Sequence, residues 1–441
     1  MGLKFIDLYA GLGGFHQGLT RLGHKAVWAC EQNENLRKLY QINYDNTPIE
    51  GDIFKVDLNL IPDHDIICGG FPCQPFSRAG YMKGFEDENK GNHFFKILEI
   101  IDAKKKKSPQ YIFLENVETL LRHDNNNTFK IIKTQLEKRG YEIDYKVLSP
   151  HEFNIPHHRR RLFIVGSKKK NGGLSHFSFP EKLDISKTTI KSVLDKKLYQ
   201  YPGEKLKLSY EENTVVNTWE KFISNFPDDS NLPSFPVWSH EWGATYPFEK
   251  CSVRTLSINE ILEYKGSYGK EINGNNLDEA ILNYIPRYSQ NDLEYYPAWK
   301  VTYIKKNRDF YQSNKDYIDR FMIENPQLFD FEFSYQKLEW SCQGAVRTFK
   351  DKILQFRPSG LRVKLNNWIP ALTTVRTQNV YVPEIKRKIS LTELCEFQSL
   401  ILKKLPDTDN INKFHQNGGY RAFGNAVNAE VVKLIAEKLL K

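Results

Sequence analysis

The sequence predicts an α/β fold in which a doubly wound, mostly parallel sheet carries an inserted second domain. Residues 1–168 alternate short β-rich runs with helical patterns, the spacing expected of parallel strands joined by helices. Residues 169–368 differ in composition, because six of the seven tryptophans fall there in a segment without clear helix-strand alternation. Sheets of the first kind bind ligands at the carboxyl ends of their strands.

Each predicted element of the first domain follows from its local pattern. The predicted strands are KFIDLYA, AVWAC, DIICGG, YIFLENV and RLFIVGS, and the predicted helices end at Leu22 or lie near 34–43, 92–103 and 128–138. After Asn425, apolar residues recur near a 3.6-residue period, which predicts a helix with one face on a core. We therefore expect a cofactor-binding and catalytic domain at 1–168, completed by 420–441, an inserted domain at 169–368 and a hinge region at 369–419.

Composition excludes several classes of protein. The 441 residues carry 63 basic and 54 acidic side chains, and this net charge of +9 permits a polyanionic partner without naming one. Six cysteines without a CxxC pair indicate reduced thiols and no zinc site. No run of about 18 apolar residues occurs, so we expect a cytoplasmic protein without a membrane partner.

A glycine-rich turn follows the first predicted strand, in the run Asp7-Leu-Tyr-Ala-Gly11-Leu-Gly13-Gly14. Glycines there let the backbone approach a bound nucleotide-like cofactor, although tight strand-helix packing would explain them too. The dinucleotide fingerprint would need a glycine at His16, which weakens a hydride-transfer function. Glu31 and Asp52 end the next two predicted strands, where carboxylates can accept hydrogen bonds from ribose hydroxyls.

A stiff loop, Gly69-Gly-Phe-Pro72-Cys73-Gln-Pro75, follows the third long strand and places a cysteine where active groups sit in such sheets. Glu115 ends the next strand, where an apolar environment can raise the pKa of a carboxyl group so that it stays protonated. A thiolate beside a proton donor is a chemically informative pair. The alternative for Glu115 alone is a residue that caps the following helix.

Two basic clusters complete the candidate residues. Arg159, Arg160 and Arg161 precede the last predicted strand, and guanidinium groups suit phosphate and carboxylate recognition, although a solvated basic run is the simpler explanation. The stretch 337–364 holds seven basic and two acidic residues, a net of +5, which favours phosphate contact.

Together these segments resemble the DNA (cytosine-5) methyltransferase family. FIDLYAGLGGF is similar to its first cofactor motif, GGFPCQPFS to its nucleophile loop, ENV to its carboxylate motif, PHHRRR to its arginine motif and FGNAV to its last motif, in family order. Two departures are His157, where the family usually has Gln, and 396–400, which lacks the usual Gly-Phe-Pro ending.

The resemblance implies a Rossmann-like fold that uses S-adenosylmethionine, with 169–368 as the target-recognition domain. It implies that Cys73 attacks C6 of a flipped-out cytosine, that Glu115 meets the charge at N3, and that Arg159 and Arg161 hold the base or its phosphate while Arg160 faces elsewhere. The implied cofactor-binding residues are Phe5, Asp7, Ala10, Gly11, Gly13, Glu31, Asp52, Ile53, Pro72, Asn425 and Ala426.

The resemblance further implies a bacterial enzyme that methylates double-stranded DNA and protects it from a cognate restriction endonuclease. We expect a nucleoid-associated monomer that forms no stable complex with that endonuclease. A tRNA cytosine-5 methyltransferase and a non-catalytic nucleic-acid-binding protein are the alternatives. The long Trp-rich insert argues against the first, and the presence of both Cys73 and Glu115 argues against the second.

Overall fold

The computed structural model describes residues 2–72, 93–194, 206–372, 380–403 and 419–441. The chain divides into two compact units. The first takes 1–204, 367–376 and 390–441, and the second takes 205–366 and 377–389. Within the described ranges, every helix is too short or too polar to cross a bilayer.

A seven-stranded sheet forms the centre of the first unit, with the strand order β3-β2-β1-β4-β5-β7-β6. The strands β1 to β5 are parallel to one another, whereas β7 is antiparallel to both β5 and β6. The predicted doubly wound, mostly parallel sheet is therefore confirmed. Its strands are β1 Lys4–Leu8, β2 Lys25–Cys30, β3 Ile49–Glu50, β4 Ile66–Gly70, β5 Tyr111–Val117, β6 Tyr141–Leu148 and β7 Arg161–Lys168.

Side-chain caps mark the start of several helices in the first unit. Asn33 caps the second helix by accepting from the Leu36 N–H at 3.1 Å, and Asn428 caps the last helix by accepting from the Val431 N–H at 3.1 Å. Ser390 and Glu393 form a capping box. The helices are α1 Gly14–Thr20, α2 Glu34–Asn43, α3 His93–Ala103, α4 Asn127–Lys138, α5 Lys191–Leu194, α11 Leu391–Phe397, α12 Gly419–Asn425 and α13 Ala429–Leu439.

The apolar face of α13 packs into the first unit, as its period indicates. Val431, Val432 and Ile435 are fully buried in one cluster with Phe5 and Phe15. The segment after β7 joins the same cluster through a second set of side chains, Leu174, Phe177 and Phe179. Residues 169–204 therefore belong by contact to the first unit, although the assignment of 169–368 to target recognition stays a prediction.

Glycine at position 14 lets α1 lie directly against the segment before α13. A Cβ at Gly14 would come 2.2 Å from the Val427 carbonyl oxygen, which is backbone and cannot rotate away. We expect Gly14→Ala to lower the free energy of unfolding by about 3 kcal/mol, the upper end for overpacked sites. Gly51→Ala is the control, because its nearest neighbour is the mobile end of Arg37 at 3.4 Å. Urea unfolding measures both, and equal stability of the two variants would contradict the close approach.

The second unit is built on a six-stranded sheet with the order β13-β12-β10-β11-β9-β8. Aromatic residues dominate its core, with Trp219, Phe222 and Trp242 fully buried together. Its strands are β8 Val237–Trp238, β9 Lys337–Ser341, β10 Lys352–Arg357, β11 Gly360–Leu365, β12 Val380–Val382 and β13 Arg387–Lys388. Its helices are α6 Tyr210–Ser224, α7 Ile258–Ile261, α8 Leu277–Tyr284, α9 Ala298–Ser313 and α10 Lys315–Glu324.

The basic stretch 337–364 is largely engaged inside the second unit. Arg357 and Arg362 both pair with Glu339, at 2.5 and 2.9 Å. Arg347 donates to backbone carbonyls, and Lys337 and Lys352 are buried. Phosphate contact by this stretch stays a prediction, although several of its cations already have partners inside the second unit.

Candidate active site

The carboxyl ends of β1, β2, β4 and β5 meet along one edge of the first sheet because these strands are parallel. The glycine-rich turn leaves β1 at this edge. Gly11 and Gly13 have φ angles of +53° and +78°, which residues with a Cβ rarely adopt. The sequence therefore needs glycine at both positions to reverse the chain into α1.

Glu31 lies at the end of β2 and is tied to this turn. Its carboxylate accepts hydrogen bonds from the Gly11 N–H at 3.0 Å and the Asn33 N–H at 2.8 Å. Burial raises its pKa, and the two backbone donors oppose that shift. Asp52, on the neighbouring loop, accepts from the Phe54 N–H at 3.1 Å, and Ile53 between them is buried.

Asp7 is the buried acid of the turn, with a relative exposure of 1%. Burial raises its pKa well above the usual range, and one carboxyl oxygen, Oδ2, has no hydrogen-bond partner in the described part of the chain. A buried acceptor without a donor is destabilising unless a ligand supplies one. A cofactor with several hydrogen-bond donors fits this edge of the sheet. The unpartnered Asp7 Oδ2 and the Glu31 carboxylate are acceptors there, beside the glycine turn.

The other predicted cofactor residues divide by position. Ala10 is buried and donates its N–H to the Cys30 carbonyl at 3.0 Å, whereas Pro72 is exposed just beyond β4. Phe5 is fully buried, with its ring edge-on to His16, and so supports the turn from the core rather than from the edge.

The last motif is brought to the same edge by the packing of α13. Asn425 is exposed at the end of α12, and Ala426 is buried beside it. The carbonyl group of Val427 faces Gly14. The Cγ2 methyl group of Val427 lies 3.5 Å from the position that a Cβ on Gly70 would take. Two segments more than 350 residues apart therefore meet beside the turn and the end of β4.

Cys73, the predicted nucleophile, and the rest of its loop lie outside the described residues, whereas Phe71 and Pro72 lie within them. Phe71 is buried, and its carbonyl accepts a hydrogen bond from Asn116 Nδ2 at 2.9 Å. The end of β5 thereby holds the chain two residues before Cys73. This contact of Asn116 was not predicted from the sequence, although a polar residue directly after Glu115 at a strand end could have indicated it.

Glu115 is buried beside that loop, with a relative exposure of 6%. The Oε2 atom of Glu115 lies 3.2 Å from the position that a Cβ on Gly70 would take. The carboxyl group is therefore next to Gly70, three residues before Cys73 in the chain. Burial raises the pKa of Glu115, and the charges of Arg161 and Arg159 partly oppose the shift. Such a carboxyl group can hold a proton at higher pH than a solvated one.

The contact between Glu115 and Arg161 is an ion pair rather than a hydrogen bond. Arg161 Nε lies 3.0 Å from Glu115 Oε1, but its N–H does not point at that oxygen, which has no hydrogen-bond partner in the described part. The electrostatic attraction between the two groups depends on their distance, whereas a hydrogen bond also requires the N–H to point at the oxygen. One oxygen of Glu115 is thus buried beside a guanidinium group without a hydrogen bond.

The arginines reach this place because β7 is antiparallel to β5. Val117, the last residue of β5, pairs with Arg161, the first residue of β7. Arg159 is 3% exposed, and burial together with Arg161 lowers its pKa to about 9. Arg160 points away and forms two hydrogen bonds with the exposed carboxylate of Glu118, at 2.7 and 3.0 Å.

His157 is a core residue of the first unit. It is fully buried, its Nδ1 lies 3.2 Å from the Phe397 carbonyl oxygen, and it pairs through its backbone with Ile369. Burial and the charge of Arg159 lower its pKa well below the usual range, so the imidazole is neutral. It joins the arginine motif to the two segments that return to the first unit after residue 366.

The profile of the C-5 cytosine-specific DNA methylase family matches residues 3–441. The chain belongs to this family. It is therefore a DNA (cytosine-5) methyltransferase, and the resemblance inferred from the five motifs is confirmed.

Individual relatives match mainly over part of the chain. The type II methyltransferase M.Bsp6I of Bacillus sp. (strain RFL6) is 44% identical over 279 residues, which are 60% of this chain and 87% of that protein. The type II methyltransferase M.HhaI of Haemophilus parahaemolyticus is 39% identical over 193 residues, 44% of this chain and 57% of its own length. The solved Dnmt2 methyltransferase of S. pombe is 15% identical with a TM-score of 0.45, over 100% of this chain and 98% of that chain.

Proposed function

We propose that this methyltransferase acts on one cytosine of a short sequence in duplex DNA, with Cys73 as the nucleophile and S-adenosylmethionine as the methyl donor. The observation that carries the proposal is the buried Glu115 carboxyl group. It lies over Gly70 on the loop that leads to Cys73, with one oxygen unbonded and two arginines beside it.

The chemistry requires a nucleophile because cytosine C5 is a weak attacking group. The Cys73 thiolate adds to C6, and the displaced electron pair makes C5 nucleophilic while charge builds at N3. A protonated Glu115 donates to N3 and so neutralises that charge. When C5 has been methylated and has lost its proton, the Sγ–C6 bond breaks and the thiolate is restored.

The neighbouring residues position these two groups. Asn116 holds the Phe71 carbonyl, which fixes the start of the nucleophile loop relative to β5. Arg161 would hold the base or its flanking phosphate, and the buried Arg159 keeps a positive field at Glu115. Because C6 is stacked inside a duplex, the cytosine must be flipped out, at a cost of a few kcal/mol.

The cofactor would lie over the glycine turn. Glu31 would accept from the ribose hydroxyls, Asp52 and Ile53 would contact the adenine, and Asn425 and Ala426 would close the methionine end. Asp7 Oδ2 remains available as an acceptor at the same edge. When bound there, S-adenosylmethionine supplies a methyl group on a sulfonium, which is electrophilic enough for C5 to attack.

The biological setting is inferred from the relatives, which are named type II methyltransferases from bacteria. We propose that this chain protects host DNA from a cognate restriction endonuclease, acts as a monomer in the nucleoid and forms no stable complex with that enzyme. The second unit would select the sequence.

A labelling assay separates the proposal from its rivals. The protein is incubated with S-adenosylmethionine labelled in the methyl group and with either duplex DNA or tRNA, and the digests are searched for 5-methylcytosine. We expect label in duplex DNA alone. Label in tRNA alone would replace DNA as the substrate, and label in neither would favour the non-catalytic binding protein.

A further inference from the structure

The second unit buries a lysine among aromatic rings. Lys337, the first residue of β9, is 8% exposed and pairs across the sheet with Trp238 of β8. Its ammonium nitrogen lies 5.3 Å from the ring centroid of Trp238, 4.9 Å from that of Tyr288 and 4.1 Å from that of Phe333. We call these four residues the lysine cage.

The ammonium group of Lys337 has no hydrogen-bond acceptor or carboxylate partner in the part of the chain that the structure describes. Burial lowers its pKa to about 8. Another buried lysine beside the cage, Lys300, differs: its Nζ donates to the Tyr288 carbonyl and to Asn291 Oδ1. One lysine of this cluster therefore has hydrogen-bond partners, whereas the ammonium group of the other contacts ring faces.

A histidine against the cage is also unsatisfied. The ring of His240 lies 4.4 Å from that of Phe333, and neither of its nitrogens has a hydrogen-bond partner in the described ranges. Burial and the charge of Lys337 lower its pKa well below the usual value, so it is neutral. Buried polar groups without partners are rare in folded proteins, so the unpartnered ring of His240 beside the lysine cage calls for an explanation.

Loose packing does not explain them, because the surrounding groups are firmly held. The Tyr288 hydroxyl donates to a Glu241 carboxylate oxygen at 2.6 Å, and the backbone N–H of Trp238 donates to Asn307 Oδ1 at 2.7 Å. Ser239, beside His240, donates to the Gln336 carbonyl at 2.7 Å. The rings and the chain around the unsatisfied groups are therefore preorganised.

We propose that the lysine cage is a specificity-determining site that recognises a guanine of the DNA substrate through Lys337. This inference rests on the proposed role of the second unit in selecting the sequence. A lysine only donates, and guanine presents two acceptors, O6 and N7, on its major-groove edge, whereas adenine and cytosine present a donor there. His240 supplies one further donor or acceptor beside the base.

A base suits the cage better than a phosphate does. Its walls are aromatic faces, which bury flat apolar surface but offer no donors to a hydrated anion. A phosphate group of the DNA could bind Arg287 instead. This arginine is exposed, and its guanidinium carbon lies 6.0 Å from the ring centroid of Phe333. Arg287 would fix the flanking backbone while Lys337 selects the base.

The test compares Lys337→Met with Lys300→Met in the full chain. Each protein methylates a duplex library of random sequence in the presence of S-adenosylmethionine, and bisulfite sequencing gives the bases around each methylated cytosine. We expect Lys337→Met to lose its preference for guanine at one position by about 5- to 150-fold, with an unchanged or higher melting temperature. Lys300→Met should keep the preference and melt earlier, since it loses two internal hydrogen bonds.

A second measurement uses the unaltered protein. Replacing guanine by 7-deazaguanine at the affected position removes the N7 acceptor, and we expect weaker binding of that duplex by the wild type but not by Lys337→Met. An unchanged sequence preference in Lys337→Met, a preference without any required guanine, or equal wild-type binding of both duplexes would overturn the inference. A wild type that methylates no DNA would instead contradict the proposed function.

Discussion

Cys73→Ser should abolish methyl transfer, with a loss on the order of 10⁴-fold or more, while S-adenosylmethionine binding stays near that of the wild type. Serine has nearly the same shape, but its hydroxyl group is not ionised at neutral pH and adds poorly to C6. Most of the proposed cofactor-binding residues lie on β1, on the turn after it and on the segments after β2 and β3, and only Pro72 among them belongs to this loop. Methylation of duplex DNA and calorimetric titration of the cofactor measure the two effects.

Cys251→Ser is the matched control, because this partly exposed cysteine belongs to the second unit. It should leave both activity and cofactor binding unchanged. Substantial methylation by Cys73→Ser would remove Cys73 from the nucleophile role, and a parallel loss in Cys251→Ser would indicate a general sensitivity to thiol replacement.

Glu115→Gln should slow methyl transfer by about 10²- to 10⁴-fold and weaken DNA binding far less. Glutamine keeps the shape and can donate a hydrogen bond, but it cannot transfer a proton to N3. The pH profile has a definite sign. Burial raises the pKa of Glu115, so its proton is retained to higher pH and is lost as the pH rises through that pKa. The wild type should therefore lose rate on the alkaline side as Glu115 ionises, and the variant should lack that contribution.

Glu118→Gln is the control for this prediction, since Glu118 lies three residues further along, is exposed and pairs with Arg160. It should change neither the rate nor the pH profile. Unfolding of Glu115→Gln, seen as a lost thermal transition, would count against the role as a proton donor, and so would a wild-type rate.

Much of the first unit follows from local pattern. Its parallel strands and helices are marked by apolar runs of the right length and by caps, and the site residues stand at strand ends where such sheets place them. The strand β6 was not predicted, although Tyr141–Leu148 largely alternates apolar and charged residues, the pattern of a strand with one exposed face. Its antiparallel pairing with β7 depends on contacts distant in sequence.

The meeting of Glu115 with the arginines could not be derived from the sequence. It depends on the reversed direction of β7, which brings the start of that strand to the end of β5. The spacing of residues in the sequence shows neither the direction of β7 nor the hydrogen bond from Asn116 to the Phe71 carbonyl. For a related reason, a count of charges in 337–364 does not show that Glu339 already pairs with two of its arginines.

Trapping the covalent complex tests the central claim most directly. The protein is incubated with S-adenosylmethionine and duplex DNA that contains 5-fluorocytosine. After methyl transfer, C5 carries fluorine in place of a removable proton, so elimination is blocked and the Sγ–C6 bond persists. The complex is digested with protease, and the peptide bound to DNA is identified by mass spectrometry. We predict a stable adduct whose only modified residue is Cys73. An adduct at another residue, or methylated DNA without any adduct, would contradict the proposed mechanism.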